Sequence, residues 1–145
     1  MKSLLNHKFV GNIQVPGDKS ITHRALMMAS LAEGKSTIKS PLESDDTYRT
    51  SEIMSQFGVD ITDEEGQMTV TSPGAGNFKT PGEVLYTGNS GTTTRLLMGL
   101  VSGLGINATI EGDSSIAIRP MDRVSGPLGE MGADISLKEN RYPPI

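Results

Sequence analysis

The sequence predicts an α/β (α+β) protein assembled from repeated βαβαββ units, with buried helices and outer sheets. Three observations carry this. First, Gly17-Asp18-Lys19-Ser20-Ile21-Thr22-His23-Arg24-Ala25-Leu26-Met27 falls, at a constant offset, under Gly88-Asn89-Ser90-Gly91-Thr92-Thr93-Thr94-Arg95-Leu96-Leu97-Met98. After a slight drift, Gly58-Val59-Asp60-Ile61 meets Gly132-Ala133-Asp134-Ile135, so one supersecondary unit is used more than once. Second, short alternating stretches separate the helical ones. Third, the first helix of each copy is apolar nearly all round, and a helix without a polar face is normally buried. Helices inside and sheets outside describe part of an inside-out α/β barrel.

In order, residues 8–15 alternate weakly and end at Pro16-Gly17, which predicts a strand and a turn. Ser20 to about Ala32 is predicted helical, with Lys19 in the turn before it and Gly34 ending it. Ser36-Thr37-Ile38 reads as a strand. Asp45-Asp46 are expected to cap an amphipathic helix that turns Ile53, Met54 and Phe57 inward and stops at Gly58. Residues 59–62 and 67–71 alternate like paired strands around Glu64-Glu65-Gly66. Ser72-Pro73-Gly74-Ala75-Gly76-Asn77 and Thr80-Pro81-Gly82 form a connector. The second unit then predicts a strand at 83–86, a buried helix from Ser90 to about Gly103 and a strand at 108–110. It continues with a helix from Pro120 to Met131 and a strand at 134–137. Pro120 suits a first helical position, whereas Gly126-Pro127 should bend or break the helix. Tyr142-Pro143-Pro144-Ile145 reads as the start of a further strand, so a longer parent chain is expected.

With 145 residues, 35% hydrophobic and 21% charged, the chain has the balance of a globular domain. Cysteine is absent, which excludes disulfides and thiol chemistry and suits a cytoplasmic location. No apolar run approaches a membrane span, and the first residues lack a signal-peptide core. The net charge of −4 argues against a nucleic-acid partner and fits a small anionic ligand, with cations concentrated at turns.

Those turns carry the chemistry. Ser20 and Arg24 share a helix face, and with Lys19 and the free N–H groups of a helix start they make a phosphate or carboxylate grip. The alternative is a solvated lysine and a surface arginine. In the second copy Gly91 admits a ligand to the backbone, Asn89 caps the helix or binds ligand, and Thr92 and Arg95 complete the site. Alternatively Asn89 and Thr92 are only caps and Arg95 pairs with a carboxylate. Arg119, before Pro120, is placed at a third helix start, with Arg123 either on its face or solvated. Asp45-Asp46 suit capping better than acid–base work, Arg49 is a candidate partner for one of them, and His23 is a candidate for titration near neutrality. The glycine spacing is wrong for a Walker A loop or a dinucleotide fingerprint, and no His/Cys/carboxylate spacing suggests a metal.

Pro16-Gly17-Asp18-Lys19-Ser20-Ile21-Thr22-His23-Arg24-Ala25, then Gly88 to Arg95, then Arg119-Pro120-Met121 resemble successive motifs of the EPSP synthase (3-phosphoshikimate 1-carboxyvinyltransferase) family. Asn140-Arg141-Tyr142-Pro143-Pro144 resembles its next landmark. The match spans about the first third of the family's length. The resemblance implies two domains of three βαβαββ units each. Residues 1–14 would be a strand of the other domain, 15–76 the first unit and 77–145 a truncated second. It implies transfer of enolpyruvyl from phosphoenolpyruvate to the 5-hydroxyl of shikimate 3-phosphate through a tetrahedral intermediate, without metal or organic cofactor, in aromatic amino acid biosynthesis. Lys19 would contact both substrates and help proton transfer. Ser20 and Arg24 would hold shikimate 3-phosphate, and Gly91 and Arg119 phosphoenolpyruvate. Asn89, Thr92, Arg95 and Asp46 would support them. Leu96 and Thr93-Thr94 depart from glyphosate-sensitive forms and are similar to the second, more inhibitor-tolerant class. The acidic catalytic residues would come from the second domain, so this chain alone is expected to be inactive and, with apolar surface uncovered, to self-associate, whereas full-length members are usually monomeric. The alternatives are a fragment of the sister transferase acting on UDP-N-acetylglucosamine and a non-catalytic anion-binding module.

Overall fold

Asp18 is extended and its carboxylate accepts from the Ile21 N–H (2.7 Å), which caps the first helix, α1 (Lys19–Leu31). α1 opens a computed structural model that describes residues 10–64 and 66–145. It is followed by β1 (Gly34–Lys39), α2 (Asp45–Gln56), β2 (Asp60–Glu64) and β3 (Gln67–Ser72). The three strands form an antiparallel sheet in the order β1-β3-β2, with Thr69 between Thr37 and Thr62. Period-2 alternation sends Met68 and Val70 of β3 inward, against Leu26 and Met27 of α1 and Ile53 and Met54 of α2. Phe57 closes this end and stacks on Phe78 (5.4 Å between centroids). Each fully buried side chain of this size contributes about 1.5–3 kcal/mol over its exposed state.

A one-turn 3-10 helix at Ala75–Asn77 leads into the second half of the chain. There β4 (Leu85–Tyr86) runs parallel to β5 (Ile110–Glu111), joined through α3 (Gly91–Leu104). α4 (Ser114–Ala117) and α5 (Asp122–Glu130) follow. Leu97, Met98 and Val101 of α3 join Leu85, Ile110, Ile116 and Met121 in the same continuous core. Ile145 exchanges both backbone hydrogen bonds with Ile110 (2.9 and 3.0 Å), as the strand start expected at 142–145 would.

Several expectations are corrected. Of the strand expected over 8–15, residues 8 and 9 lie outside the described residues and 10–15 form none. Val10, Ile13 and Val15 are exposed there, with no neighbouring strand among the described residues to take their backbone groups. Residues 134–137 likewise join no strand among the described residues; Ile135 and Leu137 pack against the core, and the bridge found there is Lys138 with Tyr142. Lys19 is the first helical residue rather than part of the turn, and Gly34 opens β1 at φ +106° instead of ending α1. Ser44, not Asp45-Asp46, caps α2 through a reciprocal box with Thr47; the aspartates occupy the first turn, where the dipole favours them. α5 starts at Asp122, two residues after Pro120, and runs through Pro127, which leaves the Arg123 carbonyl without its usual donor. α1 is covered on one side only: Ile21 and Met28 are 60% and 65% exposed, on a stripe with Arg24.

Candidate functional site

Two glycine turns bring the predicted cations together. A Cβ on Gly17 would lie under 3 Å from backbone atoms of Ser40, Pro41 and Leu42, so only glycine lets the α1 turn press against the lead-in to α2. Thr22 Oγ1 reinforces this, donating to the Asp18 carbonyl (2.8 Å) and accepting from the Leu42 N–H (2.9 Å). The two helix starts are thereby side by side, and Lys19 Nζ donates to Asp46 Oδ2 at 2.8 Å.

The second turn is built at Gly88, whose φ of +59° suits glycine and whose carbonyl accepts from the Asp113 N–H (2.8 Å). Ser90 caps α3, accepting from the Thr93 N–H (3.2 Å), which leaves the exposed Asn89 amide at the rim instead of on the helix. Arg95 folds back over the first turn. Its guanidinium donates to the Gly91 carbonyl (3.2 Å) and the Pro120 carbonyl (3.4 Å), so it ties α3 to the Arg119-Pro120 segment and pairs with no carboxylate among the described residues. A Cβ on Gly91 would stand 2.8 Å from Arg95 Nη1 and 2.9 Å from Arg119 Nη1. Arg119 reaches this point from the link between α4 and α5, not from the helix start expected for it.

The result is a cleft of about 550 Å³ lined by Lys19, Asp46, Asn89, Gly91, Thr92, Arg95 and Arg119, with Ser44 and Asp45 beside them. The positive end of α3 faces it together with three cations, which favours an anion at that point. Ser20 and Arg24 do not line the cleft; Arg24 is exposed on the open stripe of α1. Arg49 pairs with Glu52 (2.7 Å) and lies over the Tyr86 ring (5.6 Å), rather than pairing with Asp45 or Asp46. Asp113 caps α4, and its bond from the Ser115 hydroxyl (2.6 Å) holds its carboxyl below the usual range.

His23 is fully buried, and burial lowers its pKa more than nearby Asp46 raises it, which favours the neutral imidazole. Its Nδ1 meets Thr50 Oγ1 (2.8 Å), which meets Thr93 Oγ1 (2.9 Å), which meets Ser90 Oγ (2.7 Å). Sequence reasoning missed this chain. Its signal was the placement of Thr50 and Thr93 on the apolar stripes of their helices.

An α/β protein with a cationic cleft between the starts of α1, α2 and α3 is what fold and site define. The chain belongs to the EPSP synthase family: the family model described as EPSP synthase (3-phosphoshikimate 1-carboxyvinyltransferase) matches residues 6–145. A 3-phosphoshikimate 1-carboxyvinyltransferase of Staphylococcus aureus (strain MRSA252) is 59% identical over 135 residues, covering 93% of this chain and 31% of its own. One from Staphylococcus epidermidis is 56% identical over 141 residues, covering 97% and 33%. Among solved structures, an EPSP synthase from Acinetobacter baumannii superposes with a TM-score of 0.86 at 39% identity, covering 92% of this chain and 31% of that one. The chain thus spans about a third of the length of these relatives. Among the described residues no helix is long and apolar enough to cross a membrane.

Proposed function

We propose that the chain is the N-terminal part of a 3-phosphoshikimate 1-carboxyvinyltransferase and forms one wall of the cleft in which phosphoenolpyruvate meets shikimate 3-phosphate. The observation that carries this reading is the packing of Arg95 and Arg119 around Gly91, across a single cleft from Lys19. Cations and a helix start held rigidly at one point offset the charge that builds when two phosphorylated anions are brought together.

In this reading Gly91 and Arg119 take the phosphoenolpyruvate anion, and Lys19 sits between the substrates to balance charge and help move a proton. Asn89 and Thr92 line that side, Arg95 holds the α3 turn and Asp46 orients the Lys19 ammonium. Ser20 and Arg24, on the open face of α1, contact shikimate 3-phosphate once the rest of the protein closes over them. The 5-hydroxyl gives up its proton as its oxygen adds to the enol carbon of phosphoenolpyruvate, whose methylene gains a proton; loss of a proton from the resulting methyl group and departure of phosphate then restore the double bond.

The same reading assigns residues 15–76 and 77–145 to the first two repeat units, and residues 1–14 to a strand of the other domain. A cytoplasmic location goes with it. The family match favours it over a UDP-N-acetylglucosamine enolpyruvyl transferase. The test mixes this chain with the separately made remainder of a relative and follows phosphate release from phosphoenolpyruvate and shikimate 3-phosphate. Release from the mixture, none from this chain alone, and loss with Lys19→Met are expected. No release from a mixture that demonstrably assembles counts against the reading.

A further inference from the structure

The buried hydroxyl chain has a direction. Each of its hydroxyls has one proton to donate. If Nδ1 of His23 accepts from Thr50, then Thr50 accepts from Thr93, Thr93 accepts from Ser90, and Ser90 accepts from the Thr93 backbone N–H. Every hydroxyl is then satisfied. Run wholly the other way, the Ser90 hydroxyl proton finds no acceptor, and a protonated Nδ1 would leave the Thr50 hydroxyl proton only the Asp46 carbonyl, at 3.3 Å against the 2.8 Å to Nδ1. Thr93 Oγ1 also lies 3.5 Å from Nδ1, whereas Nε2 is buried and meets no partner among the described residues.

We propose that His23 is a positioning residue: as the terminal acceptor of the Ser90→Thr93→Thr50→His23 chain, it fixes the starts of α1, α2 and α3 relative to one another, so that Lys19 and the Arg95–Arg119 pair face a single cleft. Lys19 is four residues before His23 on α1, Asp46 four before Thr50 on α2, and Gly91 two before Thr93 on α3. The chain therefore sits directly beneath the three groups that the cleft needs in register. The proposal rests on the reading of that cleft as the substrate site, but its test does not.

The test uses the 145-residue chain labelled with 15N, first without ligand. Nδ1 of His23 is expected to be unprotonated and Nε2 protonated at neutral pH. Asn carries its amide where Nδ1 lies, and Gln carries it near Nε2. His23→Asn should therefore leave the amide resonances of Ser90, Gly91 and Thr93 in place, while His23→Gln shifts them. Thr50→Val, which removes the central hydroxyl, should shift both these and Lys19. A protonated Nδ1, or equal effects of Asn and Gln, overturns the proposal. If His23→Gln does not fold, unmoved Thr93 and Lys19 resonances in Thr50→Val overturn it equally. A second arm titrates phosphoenolpyruvate: affinity falls about tenfold in His23→Gln and Thr50→Val and holds in His23→Asn, as loss of one buried hydrogen bond implies. A wild-type chain that ignores phosphoenolpyruvate sinks the proposed function and leaves the ligand-free arm to decide this one.

Discussion

Lys19 and Asp46 meet at 2.8 Å across 27 residues of sequence, and that contact marks where the first two helices of the chain start side by side. The lysine side chain is about half exposed, so the pair is worth under about 1 kcal/mol to folding. Its value lies in holding an ammonium at the mouth of a cleft. Lys19→Met is expected to change the melting temperature little and to weaken phosphoenolpyruvate binding by about 1–3 kcal/mol, since it removes one charge-assisted hydrogen bond. Calorimetry and an NMR titration on the same sample check both halves.

Gly91→Ala separates fold from site in a second way. The atoms its Cβ would meet are the tips of two arginines, which can swing aside. Stability should hold or rise by up to about 1 kcal/mol, because alanine is the better helix residue. Anion affinity should fall, because the methyl group stands where Arg95 and Arg119 converge. An unchanged affinity would show that the ligand sits elsewhere.

Gly17→Ala should behave oppositely. Its Cβ would strike backbone, not flexible tips, so the α1 turn must part from residues 40–42. A loss of about 1–3 kcal/mol in urea unfolding is expected, the usual range for overpacking.

The pH dependence follows from His23. Burial lowers its folded pKa below the ordinary 6.5, against the pull of Asp46 and with the push of Lys19, while Thr50 faces it from α2. The unfolded chain therefore binds the extra proton first as pH drops, so this stability is present above about 6.5 and is lost progressively below it. His23→Asn should flatten that limb. Asp113, lowered by its Ser115 bond, acts in a separate window beneath its ordinary 3.8, losing its contribution as pH falls through its folded value.

Most helices were legible in the sequence because each carries its own signal: the apolar run that follows Arg24 on α1, an Ile53-Met54-Phe57 stripe on α2, and Leu97, Met98 and Val101 on α3. The hairpin of β2 and β3 was legible for the same reason, its partner being adjacent in sequence. Strands whose partners are distant were not. Residues 10–15 and 134–137 alternate correctly yet form no ladder, because alternation states which face is apolar and not which strand completes it. All but Arg24 of Lys19, Arg24, Gly91 and Arg119 line one cleft, as was expected of the four from the repeat. The role of Arg95 as a backbone clamp and the burial of His23 were not, since both depend on carbonyls and hydroxyls brought in from other turns.

The measurement that bears most directly on the central claim is a phosphoenolpyruvate titration of the 15N-labelled chain. The account predicts that Lys19, Gly91, Thr92 and Arg119 shift together along one saturation curve, although Lys19 lies about 70 residues or more from the others in sequence. Shifts confined to scattered surface lysines, or separate curves for Lys19 and for the Gly91–Arg119 group, would contradict it.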